Sequence, residues 1–175
     1  MAERFKAAID GGSRGNPGRA AWAVVVLDDD GVRVEGHAGI IGSATNNVAE
    51  YRALLEALAI AASRGADEVE ILADSELVVR QIEGAYRVKN PNLKPMYEEA
   101  RRRIARLRSF RISHVRRGQN KEADRLVNVA LDRESTGEEA RVLGRHPRTN
   151  VPVAQQLEVR FDLEARLLVE APARP

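Results

Sequence analysis

The chain contains no cysteine, which excludes disulfide frameworks, thiolate metal sites and cysteine nucleophiles. That composition fits a reducing cytoplasm, the expected location. Histidine is scarce, with three in 175 residues, so an oxygen-ligated metal is a better expectation than zinc. Aromatics make up 4%, too few for a row of base-stacking platforms, and the single tryptophan, Trp22, is expected in the core. The longest purely apolar run, Ala20 to Leu27, is eight residues, far short of a membrane span. The start of the chain carries Arg4, Lys6 and Asp10 with no apolar stretch behind a basic segment, so no leader peptide is visible. What is present is 43% apolar residues, enough for one ordinary core and an appendage.

A formal charge of only +2 conceals a strong asymmetry. Residues 1–79 carry 7 basic and 13 acidic side chains, whereas residues 80–121 carry 13 and 3. A basic block joined to an acidic half points to a polyanionic partner, or else to a solvated basic helix face.

Hydrophobic periodicity orders the chain. Phe5 to Ile9 reads as a strand ending at Asp10, followed by turn chemistry from Gly11 to Gly18. Ala20 to Leu27 and Val32 to Ile41 read as a hairpin about Asp30-Gly31. Val48, Tyr51, Leu55, Leu58 and Ala62 recur at helical spacing, with a helix start near Thr45-Asn46-Asn47. A strand over Val69 to Ala73, a short helix from Ser75 to Ile82 and a helix marked by Leu93, Met96, Ala100 and Ile104 follow. A strand from Phe110 to Val115 and a helix from Asn120 to about Asp132 complete the pattern. The order β-β-β-α-β-α-α-β-α predicts an α/β fold: a mixed five-stranded sheet flanked by helices. Residues 1–134 are expected to form the domain, and 135–175 a tail with one possible strand or helix.

Four acids fall at element ends. Asp10 and Asp74 follow apolar strands, at the sheet edge where parallel sheets bind ligands. Glu50 and Asp124 lie in the first turns of helices. Each has a structural reading as well: Glu50 in a capping box with Asn47, Asp74 as a helix cap, Asp124 against a helix dipole, Asp10 in a turn. Together they suggest adjacent, partly buried carboxylates, which repel unless a cation neutralises them. Mg²⁺ prefers such oxygen ligands, and two ions about 3.5–4 Å apart stabilise phosphoryl displacement.

Four ordered blocks sharpen this: Asp10-Gly11-Gly12-Ser13-Arg14-Gly15-Asn16, Thr45-Asn46-Asn47-Val48-Ala49-Glu50-Tyr51, Asp74-Ser75-Glu76-Leu77-Val78-Val79, and Asn120-Lys121-Glu122-Ala123-Asp124. Over residues 3–133 the chain resembles type 1 ribonuclease H, in its short prokaryotic and archaeal-like branch. The resemblance implies sheet order 3-2-1-4-5 and endonucleolytic hydrolysis of the RNA strand of RNA–DNA hybrids, leaving 5′-phosphate and 3′-hydroxyl ends. It implies two Mg²⁺ ions, replaceable by Mn²⁺, held by Asp10, Glu50, Asp74 and Asp124. It also implies hybrid contacts from Gly11, Asn16, Thr45, Asn46, Ser75, Arg116 and Arg117, with the protein acting as a monomer, without membrane or organic cofactor. The rival is a non-catalytic nucleic-acid-binding module on the same fold.

The chain departs from longer family members in three places. The loop Arg116-Arg117-Gly118-Gln119 lacks their histidine, while His114 lies inside strand five, where packing is expected. Residues 84–95 are too short for a large basic protrusion. Glu76 stands where a glutamine often meets the minor groove. The arginines at 101, 102, 103, 106 and 108 are expected to supply phosphate contacts, with some left as solvated surface.

Overall fold

The computed structural model describes residues 3–135 and 167–170. Strand β1 (Arg4–Gly15) runs antiparallel to β2 (Gly18–Leu27), and β2 runs antiparallel to β3 (Arg33–Ala44). Helix α1 (Asn46–Ser63) crosses to β4 (Glu68–Ala73), which lies parallel to β1 from Arg4↔Glu68 to Ile9↔Ala73. Two helices, α2 (Glu76–Ile82) and α3 (Lys94–Ile104), lead to β5 (Ser109–His114), parallel to β4. A 3₁₀ turn (Arg117–Gln119) then enters α4 (Lys121–Ser135).

The sheet order 3-2-1-4-5 is as expected, with one further strand. Within the tail, β6 (Leu167–Glu170) pairs antiparallel with β3, from Gly36↔Glu170 to Gly39↔Leu167. The division expected at 134/135 coincides with the edge of the described residues, and 136–166 lie outside them.

Two cores sandwich the sheet. One face packs Ile9, Val24 and Ile71 against Leu54, Leu58 and Ile60 of α1 and against Val78, Ile82 and Ala100 of the next two helices. The other packs Ala21, Ala23, Val25 and Ala38 against Leu126, Val127 and Leu131 of α4. The small residues on that second face let α4 lie close to β2 and β3, while bulk is concentrated on the α1 side. Trp22 is buried as expected, with its indole against Gly39; a Cβ there would stand 2.7 Å from the ring nitrogen.

One expected boundary moves. The segment Gly11 to Gly15 has turn-forming composition, yet β1 continues through it. Ladder pairing with β2 holds it extended from Gly11↔Trp22 to Gly15↔Gly18, so tertiary pairing outweighs local preference. The turn itself is confined to Asn16 and Pro17, with Gly15 at φ +92. Asp10 is therefore mid-strand rather than at a strand's end. What ends beside it is the parallel partner, because β4 stops at Ala73 opposite Ile9.

Candidate active site

That termination opens the sheet next to Asp10. Beyond Ala73 the chain leaves for α2, and Asp74 remains at the mouth of the gap. Ser75, not Asp74, caps α2, since its Oγ accepts from the Val78 N–H at 3.3 Å. The expected capping role for Asp74 is thereby taken by its neighbour, and its carboxylate stays with the site.

Glu50 arrives from the other side. Thr45 is the N-cap of α1, with Oγ1 accepting from the Val48 N–H at 3.3 Å. The helix thus begins earlier than a capping box on Asn47 would need, and Glu50 lies one full turn inside it. Its backbone approaches β1 so closely that a Cβ at Gly11 would fall 2.2 Å from the Ala49 carbonyl carbon and 2.4 Å from the Glu50 nitrogen. Glycine at 11 is a condition for placing Glu50 beside Asp10. This explains Gly11 by packing, in addition to the substrate contact expected of it.

Asp10, Glu50 and Asp74 each present an oxygen so that all three atoms lie within 4.8 Å of one another. Asp10 is 6% and Glu50 8% exposed, and Asp74 is half-buried. Asp124 is in the first turn of α4 and lines the same cleft of about 470 Å³. It is exposed and lies outside the three-oxygen group, although its charge reaches Asp10.

Burial is the largest influence on Asp10 and, with repulsion from Asp74 and Asp124, pushes its carboxyl up to about 7. Glu50 is driven well above the ordinary range by burial first, then by Asp10 and Asp74. The Gly11 N–H opposes both shifts by hydrogen bonding. No described Lys, Arg or His forms an ion pair with any of the three carboxylates. The Glu50 Oε2 is buried without a partner. A divalent, oxygen-preferring cation fits this donor set, because it satisfies the orphaned oxygen and removes the repulsion together.

The groove beside the cluster is built from amides. The Asn16 Oδ1 accepts from the Asn46 N–H at 3.1 Å, and the Asn46 Oδ1 accepts from the Ser13 N–H at 2.9 Å and the Ser13 hydroxyl at 3.0 Å. These bonds tie the β1–β2 hairpin to the start of α1. They use the amide oxygens and leave both NH₂ groups without a bond to any described residue. Ser75 and Arg117 line the cleft, and Arg116 sits at the entrance to the 3₁₀ turn. Thr45 is half-buried, with its hydroxyl oxygen engaged in capping.

Two expectations need correction. His114 is exposed rather than packed, and its Nε2 stands 3.2 Å from the Asp74 carbonyl oxygen, at the end of β5. Most α3 arginines are not free for phosphate. Arg102 and Arg103 pair with Glu99, Arg103 also donates to the Leu55 carbonyl at 2.9 Å, and Arg101 donates to the Ile82 carbonyl at 3.1 Å. Arg108, just beyond α3, pairs with Asp67 and Glu68. Asn120, expected as a helix start and a motif member, is buried with its Nδ2 3.3 Å from the Asp74 Oδ2. Its presence in the motif block was the one available signal.

A family profile described as "Reverse transcriptase-like" matches residues 8–130. The crystal structure of RNase H1 from the halophilic archaeon Halobacterium salinarum aligns at 44% identity with a TM-score of 0.71, over 74% of this chain and 98% of that one. The chain belongs to the type 1 ribonuclease H family. LC11-RNase H1, solved in complex with an RNA/DNA hybrid, aligns at 39% identity with a TM-score of 0.70, over 75% of this chain and 99% of that one. The bifunctional protein Rv2228c of Mycobacterium tuberculosis is 45% identical over 70% of this chain and 34% of its own length. The matched region spans about two thirds of the curated Halobacterium ribonuclease HI and one third of the mycobacterial protein.

Proposed function

We propose that this protein hydrolyses the RNA strand of RNA–DNA hybrids. The observation that carries the reading is the trio Asp10, Glu50 and Asp74, two buried and one half-buried, gathered within 4.8 Å with no ion pair to a described Lys, Arg or His. Asp10, Glu50 and Asp74 would hold a divalent ion, and Asp124 would contribute at the cleft's outer wall. Two Mg²⁺ ions, replaceable by Mn²⁺, would when bound there supply charge stabilisation for an in-line phosphoryl displacement.

The chain's own residues supply the rest. A water oxygen attacks the scissile phosphorus, the bond from phosphorus to the 3′ oxygen breaks, and the products carry 3′-hydroxyl and 5′-phosphate ends. Asn46 lines the cleft and Asn16 accepts from its backbone N–H; the NH₂ groups of both would serve as neutral donors suited to 2′-hydroxyl and base-edge acceptors, which distinguish RNA from DNA. Arg116 and Arg117, without an ion pair among the described residues, supply backbone phosphate contacts that set affinity without reading sequence. The Thr45 and Ser75 hydroxyls keep a proton to donate while their oxygens cap helices. Hybrid binding by LC11-RNase H1 supports the choice of substrate.

The test is cleavage of a labelled hybrid in Mg²⁺ or Mn²⁺, with a single-stranded RNA control. Release of 5′-phosphorylated RNA fragments from the hybrid alone is the expected result. Tight hybrid binding with no cleavage in either metal would instead establish the non-catalytic module.

A further inference from the structure

Asn120 is 2% exposed and belongs neither to the hydrophobic core nor to the carboxylate group. It closes the 3₁₀ turn ahead of α4. Its Nδ2 donates to the Ile9 carbonyl at 2.8 Å and to the Asp74 Oδ2 at 3.3 Å. Ile9 immediately precedes Asp10 in β1, Asp74 follows β4, and Asn120 itself leads into the helix turn that carries Asp124. One side-chain amide thus touches the supports of three of the four acids.

We propose that Asn120 is a positioning residue that holds Asp74 and Asp10 in register for cation binding. The inference rests on the reading of the cleft as a divalent-cation site. The orientation of the amide is dictated by its partners. A carbonyl and a carboxylate are both acceptors, and only the NH₂ end offers two hydrogens from one atom. The bond on Asp74 Oδ2 restricts rotation of that carboxylate and sets where its other oxygen points. Supporting hydrogen bonds of this kind tune ligand sets in metal sites generally.

The neutrality of the amide matters as much as its geometry. A lysine or arginine in this position would also orient Asp74, but it would neutralise the cluster and compete with the incoming ion. Asparagine orients without cancelling charge, so the repulsion among the carboxylates is left for the cation to relieve. Aspartate, of nearly the same shape, would face the Ile9 carbonyl and Asp74 with acceptors only.

The test is Mn²⁺ binding by calorimetry, without substrate, on wild type, Asn120→Asp and Asn120→Ala, with hybrid kcat, KM and melting temperature measured alongside. Both variants are expected to lose about 10- to 100-fold in Mn²⁺ affinity or kcat, with hybrid KM little changed. Asn120→Ala added to Asp74→Asn should cost far less than it costs alone, because the partner it acts on is already altered. A lowered melting temperature with unchanged Mn²⁺ affinity and kcat would overturn the proposal and leave Asn120 a structural anchor. If wild type binds Mn²⁺ yet cuts no hybrid, the hydrolase reading fails while the variants' affinities still decide this one.

Discussion

Glu50 and Glu35 are both carboxylates drawn into the fold, and they are driven in opposite directions. Burial pushes Glu35 up, but His37 on its own strand and Arg64 at the end of α1 outweigh that and hold it at about 2. Burial pushes Glu50 up too, and its neighbours Asp10 and Asp74 push it further. Glu56 falls between: it is paired with Arg52 at 2.7 Å, yet burial still lifts it above its ordinary value. The contrast is one of partners, not of depth. Across the described surface, acids meet arginines: Arg4 with Glu68, Arg33 with Glu122, Arg64 with Glu35. Among the described residues, only in the cleft does the fold bring three carboxylates together and supply no cation. A fold that tolerates such repulsion has stability left for an external ion to recover.

The sharpest way to break that comparison is to remove a charge from each region. Asp10→Asn or Asp74→Asn should lower hybrid cleavage by about 10³-fold or more, since loss of several kcal/mol of charge stabilisation has that effect on a rate. Glu35→Gln should leave kcat within about twofold and reduce stability instead. Steady-state cleavage in Mg²⁺ reads both. Equal activity of wild type and Asp10→Asn would remove the catalytic role from the cluster.

The pH dependence sharpens the same contrast with opposite signs. Asp10 titrates near 7 in the folded chain against 3.8 ordinarily, so the folded state holds its proton more tightly than the unfolded state does. Its contribution is most favourable below the ordinary value and is lost as pH rises through about 7. Glu35, at about 2 against 4.5, contributes above 4.5 and loses that contribution as pH falls towards 2. In EDTA, Asp10→Asn should therefore melt about 3 to 6 °C above wild type at pH 8, for a gain of about 1 kcal/mol, and by a smaller margin at pH 5. Saturating Mg²⁺ should raise wild type and leave Asp10→Asn nearly unmoved. Melting curves at two pH values, with and without Mg²⁺, test this, and a pH-independent margin would show that the cluster stores no repulsion.

Much of this was legible before any coordinates. The helical spacing from Val48 to Ala62 located α1, and apolar runs located the strands, because the core dictates those periods. Asp10, Glu50 and Asp74 were legible as candidates because each lies near an apolar strand or a helix start, and the fold gathers those three, while Asp124 lines the same cleft outside the group. Finer placement was not. The Gly11 to Gly15 stretch carries turn composition, and only its pairing with β2 makes it strand. Thr45, Asn46 and Asn47 can all cap a helix, so local chemistry could not say which one does. Asn120 acts across 111 residues of sequence, a separation that no local pattern reports. The basic block misled for a related reason: counting arginines gives charge but not partners, and Glu99, Asp67 and Glu68 had already claimed several of them.

That last point yields the smallest effect, and the most discriminating one. Arg102 and Arg103 hold Glu99, and Arg103 also ties α3 to α1 through the Leu55 carbonyl, whereas Arg116 and Arg117 have no ion pair among the described residues and Arg117 lines the cleft. If phosphate contact follows availability rather than charge density, Arg116→Ala with Arg117→Ala should lower the slope of log K against log salt by about two. The Arg102→Ala, Arg103→Ala pair should leave that slope unchanged within error while lowering the melting temperature by a few degrees. Hybrid binding titrated in Ca²⁺ from about 50 to 200 mM salt separates the two pairs. A reduced slope for the α3 pair would mean that those arginines exchange Glu99 for phosphate on binding, and that the ion pairs of the surface are as provisional as the cleft's lack of them.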